Sequence, residues 1–166
     1  MVGGIHGIEL SEEDAARIGE GMQNMPAHSD VEKGLQNLMD AGFRLVTLTN
    51  SPHIEGKETP LERAGLARFF ERQFTIDRVE AYKPVARVYH MVARDLGVAP
   101  AACCMVAAHV WDTIGAQSAG LSAALITRPG NAPLPVPGLP QPNIVADDLP
   151  SLGVELGKWK SRTTKG

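Results

Sequence analysis

The sequence predicts an α/β fold, a Rossmann-like parallel sheet covered by helices on both faces in three layers. Three observations carry this. Residues 43–49, 102–106 and 121–127 are short, nearly continuous apolar runs, the pattern of strands buried on both faces. Between them lie stretches of helical periodicity, several opened by a capping pattern or closed by glycine. No internal repeat and no linker separates two full domains.

The elements follow in order. Residues 1–9 are glycine-rich and specify little. Ser11-Glu-Glu-Asp14 has the form of a capping box and opens a helix to about Met22. Ser29-Asp-Val-Glu32 is a second such box, and Val31, Leu35, Leu38 and Met39 mark one face of the helix it starts. Gly42 ends that helix, and the strand from Phe43 stops on Thr49-Asn50-Ser51. Broken helix follows from about Pro60 to Phe70, with Leu61, Leu66 and Phe69 on one side. Phe74 to Ile76 is a short strand, and Ala81-Tyr-Lys-Pro84 a loop. Pro84 is expected in the first turn of a helix that runs to Leu96 and closes at Gly97. Ala102 to Val106 is the next strand, and a helix starts near Trp111-Asp112 and ends before Gly120. Leu121 to Thr127 is a strand, and residues 128–142 form a proline-rich surface loop. Asn143 to Ala146 makes a minimal edge strand, after which Asp147 or Asp148 caps a helix holding Leu149, Leu152 and Leu156.

Composition bounds what the chain does. Its 166 residues suit one domain with a real core, and 43% apolar with 21% charged residues is ordinary for a globular protein. The net charge of −3 and the absence of a basic stripe give no reason to expect a nucleic-acid partner. Lys158, Lys160, Arg162 and Lys165 read as a solvated basic tail. Cys103 and Cys104 are adjacent and point to opposite faces of a strand, so they are expected to be core thiols in a reducing compartment. No run reaches the roughly 20 apolar residues of a membrane span, so no membrane partner is expected, and the cytoplasm is the default location.

Ligands of open α/β sheets bind beyond the carboxyl ends of the strands. Three such ends carry polar residues: Thr49 and Asn50, Lys83, and His109 to Asp112. Together they could hold an anionic substrate, with Lys83 supplying charge and Asp112 anchoring it or orienting a water. Each has a plainer role available: Asn and Ser cap turns, Lys before Pro is a loop charge, Asp at a helix start is a cap, and His109 and Trp111 are structural. The order and placement of all three ends favour the site.

Leu48-Thr-Asn-Ser51, then Tyr82-Lys-Pro84 with Arg87-Val-Tyr89, then Met105-Val-Ala-Ala-His-Val-Trp-Asp-Thr-Ile-Gly-Ala116 resemble the last three motifs of the haloacid dehalogenase superfamily. The resemblance is to its type II branch, the (S)-2-haloacid dehalogenases, and covers about Ser11 to Leu156. It implies a haloacid dehalogenase core over residues 29–157, preceded by a cap-domain remnant helix within residues 1–28 and followed by the tail at 158–166. It further implies that Thr49, Lys83 and Asp112 are catalytic, and that Asn50, His109, Tyr89 and Trp111 bind a small 2-haloacid-like carboxylate. The implied reaction is displacement of halide by an aspartate and hydrolysis of the resulting ester, which is covalent catalysis by a carboxylate. No cofactor is implied. A homodimer is compatible with the sequence.

The chain departs from the pattern twice. No Asp-x-Tyr/Phe-Gly-Thr signature, the family's nucleophile strand, occurs in it, and residues 1–10 hold no Asp. The fold is therefore expected to be N-terminally incomplete and the chain, as written, inactive. Arg17 lies on the cap remnant but outside a context that would make it the halide-receiving arginine. Second, Ala107 and Ala108 stand where the superfamily's phosphatases carry an acidic residue, which leaves Asp112 alone and too few ligands for Mg²⁺. The alternatives are a non-catalytic remnant acting as a binding module and, less favoured, a small-molecule phosphatase. Without its central strand the sheet is expected to expose apolar edges, leaving the chain marginally stable or self-associating.

Overall fold

The computed structural model describes residue 7 and residues 9–163. Helix α1 spans Glu12–Gln23 and α2 spans Val31–Asp40, leading into strand β1 at Val46–Thr49. The short α3 at Pro60–Arg63 precedes β2 at Arg72–Thr75, and α4 at Ala86–Leu96 precedes β3 at Cys104–Ala107. Then come α5 at Val110–Ser118, β4 at Ser122–Ile126, β5 at Ile144–Ala146 and α6 at Leu149–Thr163.

Among the described residues every ladder is parallel. β1 pairs with β2 from Val46 opposite Arg72 to Thr49 opposite Thr75. β3 pairs with β4, and β4 with β5, in a separate sheet of order β3-β4-β5. Among the described residues no ladder joins β1 to β3. The sheet therefore stands as two halves among the described residues, with a break where the sequence analysis expects the central strand to be missing.

Strand alternation divides the helices into two layers. Cys104, Ala124 and Ile126 pack with Leu38 of α2 and with Leu152 and Leu156 of α6. Met105, on the other face of β3, packs with Tyr89 of α4 and with Ala116 and Ala119 after it. Val46 and Leu48 of β1 meet Phe74, Met91 and Val92 on that same side. The two helices of the first layer lie very close, because a Cβ on Gly34 would stand 2.2 Å from the Cβ of Leu149.

Three local expectations need correction. The capping box at Ser29–Glu32 does not form: Asp30 occupies the N-cap position of α2 without capping it. Its carboxylate instead accepts two hydrogen bonds from Arg128, at 3.0 and 2.9 Å, and one from the Leu149 amide at 3.0 Å. Pro84 stays outside α4, whose N-cap is the extended Val85, and the Lys83–Pro84 peptide is cis. The basic tail is helical as far as Thr163, with Lys158 paired to Glu155 at 2.7 Å. Elsewhere the cap at Ser11 forms as a capping box with Asp14, and Gly97 closes α4 with φ of 69°. Residues 1–6, 8 and 164–166 lie outside the described residues.

A candidate active site at the strand ends

One side chain spans the gap between the half-sheets at their carboxyl edge. Lys83 Nζ donates to the Leu48 carbonyl of β1 at 3.0 Å and to Asp112 Oδ2, past the end of β3, at 2.6 Å. Both side chains are nearly buried, with 10% and 6% exposure. Asp112 lies in the first turn of α5, where the positive end of the helix favours its carboxylate. Its other oxygen, Oδ1, accepts from the Tyr89 hydroxyl at 2.8 Å. Burial, reinforced by that carboxylate, pushes the Tyr89 phenol above its ordinary range and keeps it a donor.

The other candidates divide by position. Asn50 Oδ1 accepts from the Lys83 amide at 2.8 Å, and Asn50 Nδ2 donates to the Lys83 carbonyl at 3.4 Å. Asn50 thus clamps the backbone of the lysine loop. The Thr49 hydroxyl accepts from the Ser51 amide at 3.0 Å. His109 and Trp111 are exposed and stack on each other with centroids 5.7 Å apart. Lys83 Nζ lies 5.7 Å from the Trp111 ring centroid, so the stacked pair forms a rim above the ammonium. Structure thus gathers Lys83, Asp112 and Tyr89 into a floor, with Asn50 on the lysine loop and the exposed His109–Trp111 stack beside the Lys83 ammonium.

Two supports escaped the sequence reading. A Cβ on Gly115 would stand 2.4 Å from Pro84 Cβ and 2.7 Å from the Tyr89 hydroxyl, so glycine alone lets α5 close against the lysine loop. Asn131 donates to the carbonyls of Ala108 and, at 3.1 Å, of Ile126, fastening the proline-rich loop to the ends of β3 and β4. A Gly inside a helical pattern was a readable signal of close approach; the Asn131 contacts left none.

A cleft of about 610 Å³ opens from this floor and runs between β1 and β3, past Val46, Leu48, Cys104 and Val106. Among the described residues no three His, Cys, Asp or Glu side chains are grouped to hold a metal. With both Asp112 oxygens engaged and alanines at 107 and 108, this chain's residues do not fit a Mg²⁺ ion.

The profile of the haloacid dehalogenase-like hydrolases matches residues 5–120. The chain belongs to that family. Among curated relatives, this haloacid dehalogenase-like chain is 29% identical to the (S)-2-haloacid dehalogenase of Pseudomonas sp. strain YL, over 75% of the chain and 53% of the relative. It is 30% identical to the phosphoglycolate phosphatase of Colwellia psychrerythraea, over 60% of the chain and 44% of the relative. Its fold superposes on the L-2-haloacid dehalogenase of Xanthobacter autotrophicus with chloropropionic acid covalently bound, with a TM-score of 0.76 at 23% identity, covering 92% of the chain and 70% of that structure. A HAD phosphatase from Thermococcus onnurineus gives a TM-score of 0.69 at 25% identity, covering 93% and 68%. The chain spans about half the length of the curated relatives it matches. By name these relatives are dehalogenases and phosphatases, and they give no support to a binding module.

Proposed function

We propose that this haloacid dehalogenase-like hydrolase serves the hydrolytic removal of halide from small 2-haloalkanoic acids. The observation that carries the reading is the buried Lys83–Asp112–Tyr89 constellation at the strand ends, which offers one ammonium, held in place, to an anionic reacting group. Low exposure strengthens that charge relative to water.

The reaction needs a carboxylate whose oxygen attacks C2 of the substrate. The carbon–halogen bond breaks, its electron pair leaves with the halide, and C2 is inverted in an ester. Water then adds to the ester's acyl carbon, which regenerates the carboxylate and releases the 2-hydroxy acid. Overall, one water is consumed and one halide and one proton are released. Asp112 is no free nucleophile, since Lys83 and Tyr89 occupy its oxygens. The reading therefore puts the attacking carboxylate on a segment beyond this sequence, in keeping with the half-length match to the dehalogenases. Lys83 would hold that carboxylate in its attacking form, Asp112, Tyr89 and Asn50 would fix Lys83, and Thr49, His109 and Trp111 would border the substrate.

The test is halide release from (S)-2-chloropropionate by the protein joined to its nucleophile-bearing segment. Release is expected, and Lys83→Met should lower it by about 10²–10³-fold. Phosphate release from phosphoglycolate without halide release would overturn the reading in favour of the phosphatase that the Colwellia relative represents.

A further inference from the structure

We propose that the outer edge of β5 is a self-association surface, at which a second copy of this chain adds its own β5 in antiparallel direction. The pairing joins the β3-β4-β5 sheets of the two copies across a two-fold axis at Val145. The inference stands on the chemistry of the sheet edges and is independent of the reaction proposed above.

The outer edges of the two half-sheets are β2 and β5, and they differ in charge. Strand β2 carries the exposed Arg72, with Glu71 before it and Arg78 beyond it. Arg72 donates to the Asp95 carbonyl at 3.1 Å, Arg78 pairs with the Asp95 carboxylate, and Glu71 pairs with Arg44 at 2.7 Å. Charges of this kind keep an edge from pairing with another chain. The β5 edge has no such guard. Residues 129–146 contain no charged side chain, and among the described residues no strand pairs with β5 on the side away from β4.

The backbone of β5 decides how a second copy fits. The Ala146 carbonyl accepts from the Thr127 amide at 2.8 Å, so the polar groups of Ala146 point to the β4 side. Consecutive residues of a strand alternate, which turns the amide and carbonyl of Val145 outward. Two such valines set opposite each other in antiparallel strands exchange both N–H···O bonds, and the two-fold axis passes between them. That register sets Ile144 against Ala146, and Asn143 against Asp147, of the second copy, so no like charges meet.

Apolar surface flanks this axis. The Val145 side chain is 46% exposed, whereas Ile144 and Ala146 point to the other face and pack with Leu38, Leu152 and Leu156. Just ahead of β5, Gln141 donates to the carbonyls of Leu134 at 3.0 Å and Leu139 at 3.3 Å. Gln117 of α5 donates in turn to the Gln141 carbonyl at 2.7 Å. The proline-rich loop is thereby held beside the entrance of β5, with Leu134, Val136 and Leu139 exposed on it. A loop already ordered loses little freedom when a partner covers it. Three paired residues per copy make a small contact, so the dimer is weak and fills at high concentration.

The experiment is sedimentation equilibrium of the full chain from micromolar to millimolar concentration, with amide hydrogen exchange read residue by residue. Val106→Lys charges the separate break between β1 and β3; it is expected to stop growth beyond the dimer and to leave the dimer itself. In that background Val145→Lys sets like charges opposite each other, and Val145→Pro removes both donors at the axis without touching the β4 ladder. Each is expected to weaken dimerisation at least tenfold. The Val145 amide is expected to gain at least tenfold protection at millimolar protein, with Ala146 and β2 unchanged. Dimerisation should hold from low to physiological ionic strength, because the contact is uncharged. A Val106→Lys chain that stays monomeric at millimolar concentration overturns the proposal. So does a dimer that Val145→Lys leaves intact, a dimer that salt dissolves, or protection that rises on β2 in place of Val145. Should Val145→Pro lose its cooperative urea transition, Val145→Lys alone decides.

Discussion

The buried ammonium of Lys83 is held by charge and by backbone together, and single changes should separate the two. Asp112→Asn leaves the ammonium in a nearly closed site without its counter-charge, and loss of one partner of a buried pair costs about 3–5 kcal/mol. Urea denaturation of the variant should show that loss. Tyr89→Phe removes only the 2.8 Å hydroxyl bond and should cost about 1–2 kcal/mol. Gly115→Ala must displace Pro84 backbone and side chain, so its cost of about 1–3 kcal/mol should appear as a lower melting temperature together with a shifted Lys83 Nζ resonance. Lys83 and Asp112 were legible in the sequence because they follow strand ends that gather polar residues, whereas Tyr89, inside α4, entered only through the family resemblance. The roles of Asn50 and Thr49 were less so, since side chains that hold backbone look the same in sequence as side chains that hold substrate.

Among the elements, α2 and α6 depend on a link that no local pattern announced. Asp30 joins them to the end of β4 through Arg128 and the Leu149 amide. The Arg128 hydrogen bonds, set against partial burial, bring the Asp30 carboxyl from 3.8 down to about 2. A folded-state pKa below the unfolded one stabilises at high pH, so this contribution is whole above about pH 5 and fades as pH falls from about 4 through 2. After allowance for solvent it amounts to about 1–2 kcal/mol. Acid titration of Asp30→Asn should therefore run flatter than that of the parent over that window, while the two differ by a constant amount at neutral pH. The sequence offered Ser29-Asp-Val-Glu32 as a helix cap because the four-residue pattern fits. The helix starts one residue later instead, with Asp30 at its N-cap, and that carboxylate is held by two charge-assisted hydrogen bonds from Arg128, 98 residues away. Helix α4 shows the opposite case, since its boundary at Gly97 is set by local glycine geometry and was read correctly.

At the level of the whole molecule, the apolar runs fixed the strands, and the helical stretches between them fixed the layers. The break in the ladder between β1 and β3 was not legible from composition, since each strand's own residues still describe a fully paired neighbour; it was expected from the motif pattern, which lacks the central strand. The expected consequence is an open edge that invites association. Sedimentation of the chain from micromolar to hundreds of micromolar should show mass rising with concentration, and a sharp, reversible, high-temperature melt of a monomer would contradict it. Charged residues at the midpoint of β3, for example Val106→Lys, should suppress the association with little change in urea midpoint, since that side chain is already 36% exposed.

The close seating of α2 on α6, made possible by Gly34, also sets a clock on biosynthesis. The Asp30 to Leu149 contact spans 119 residues of chain. At roughly 5–20 residues per second, a ribosome needs about 6–24 s to deliver the second helix after the first. For that interval Leu35 and Leu38 have no cover from α6 and are open to whatever holdase or neighbouring nascent chain meets them first.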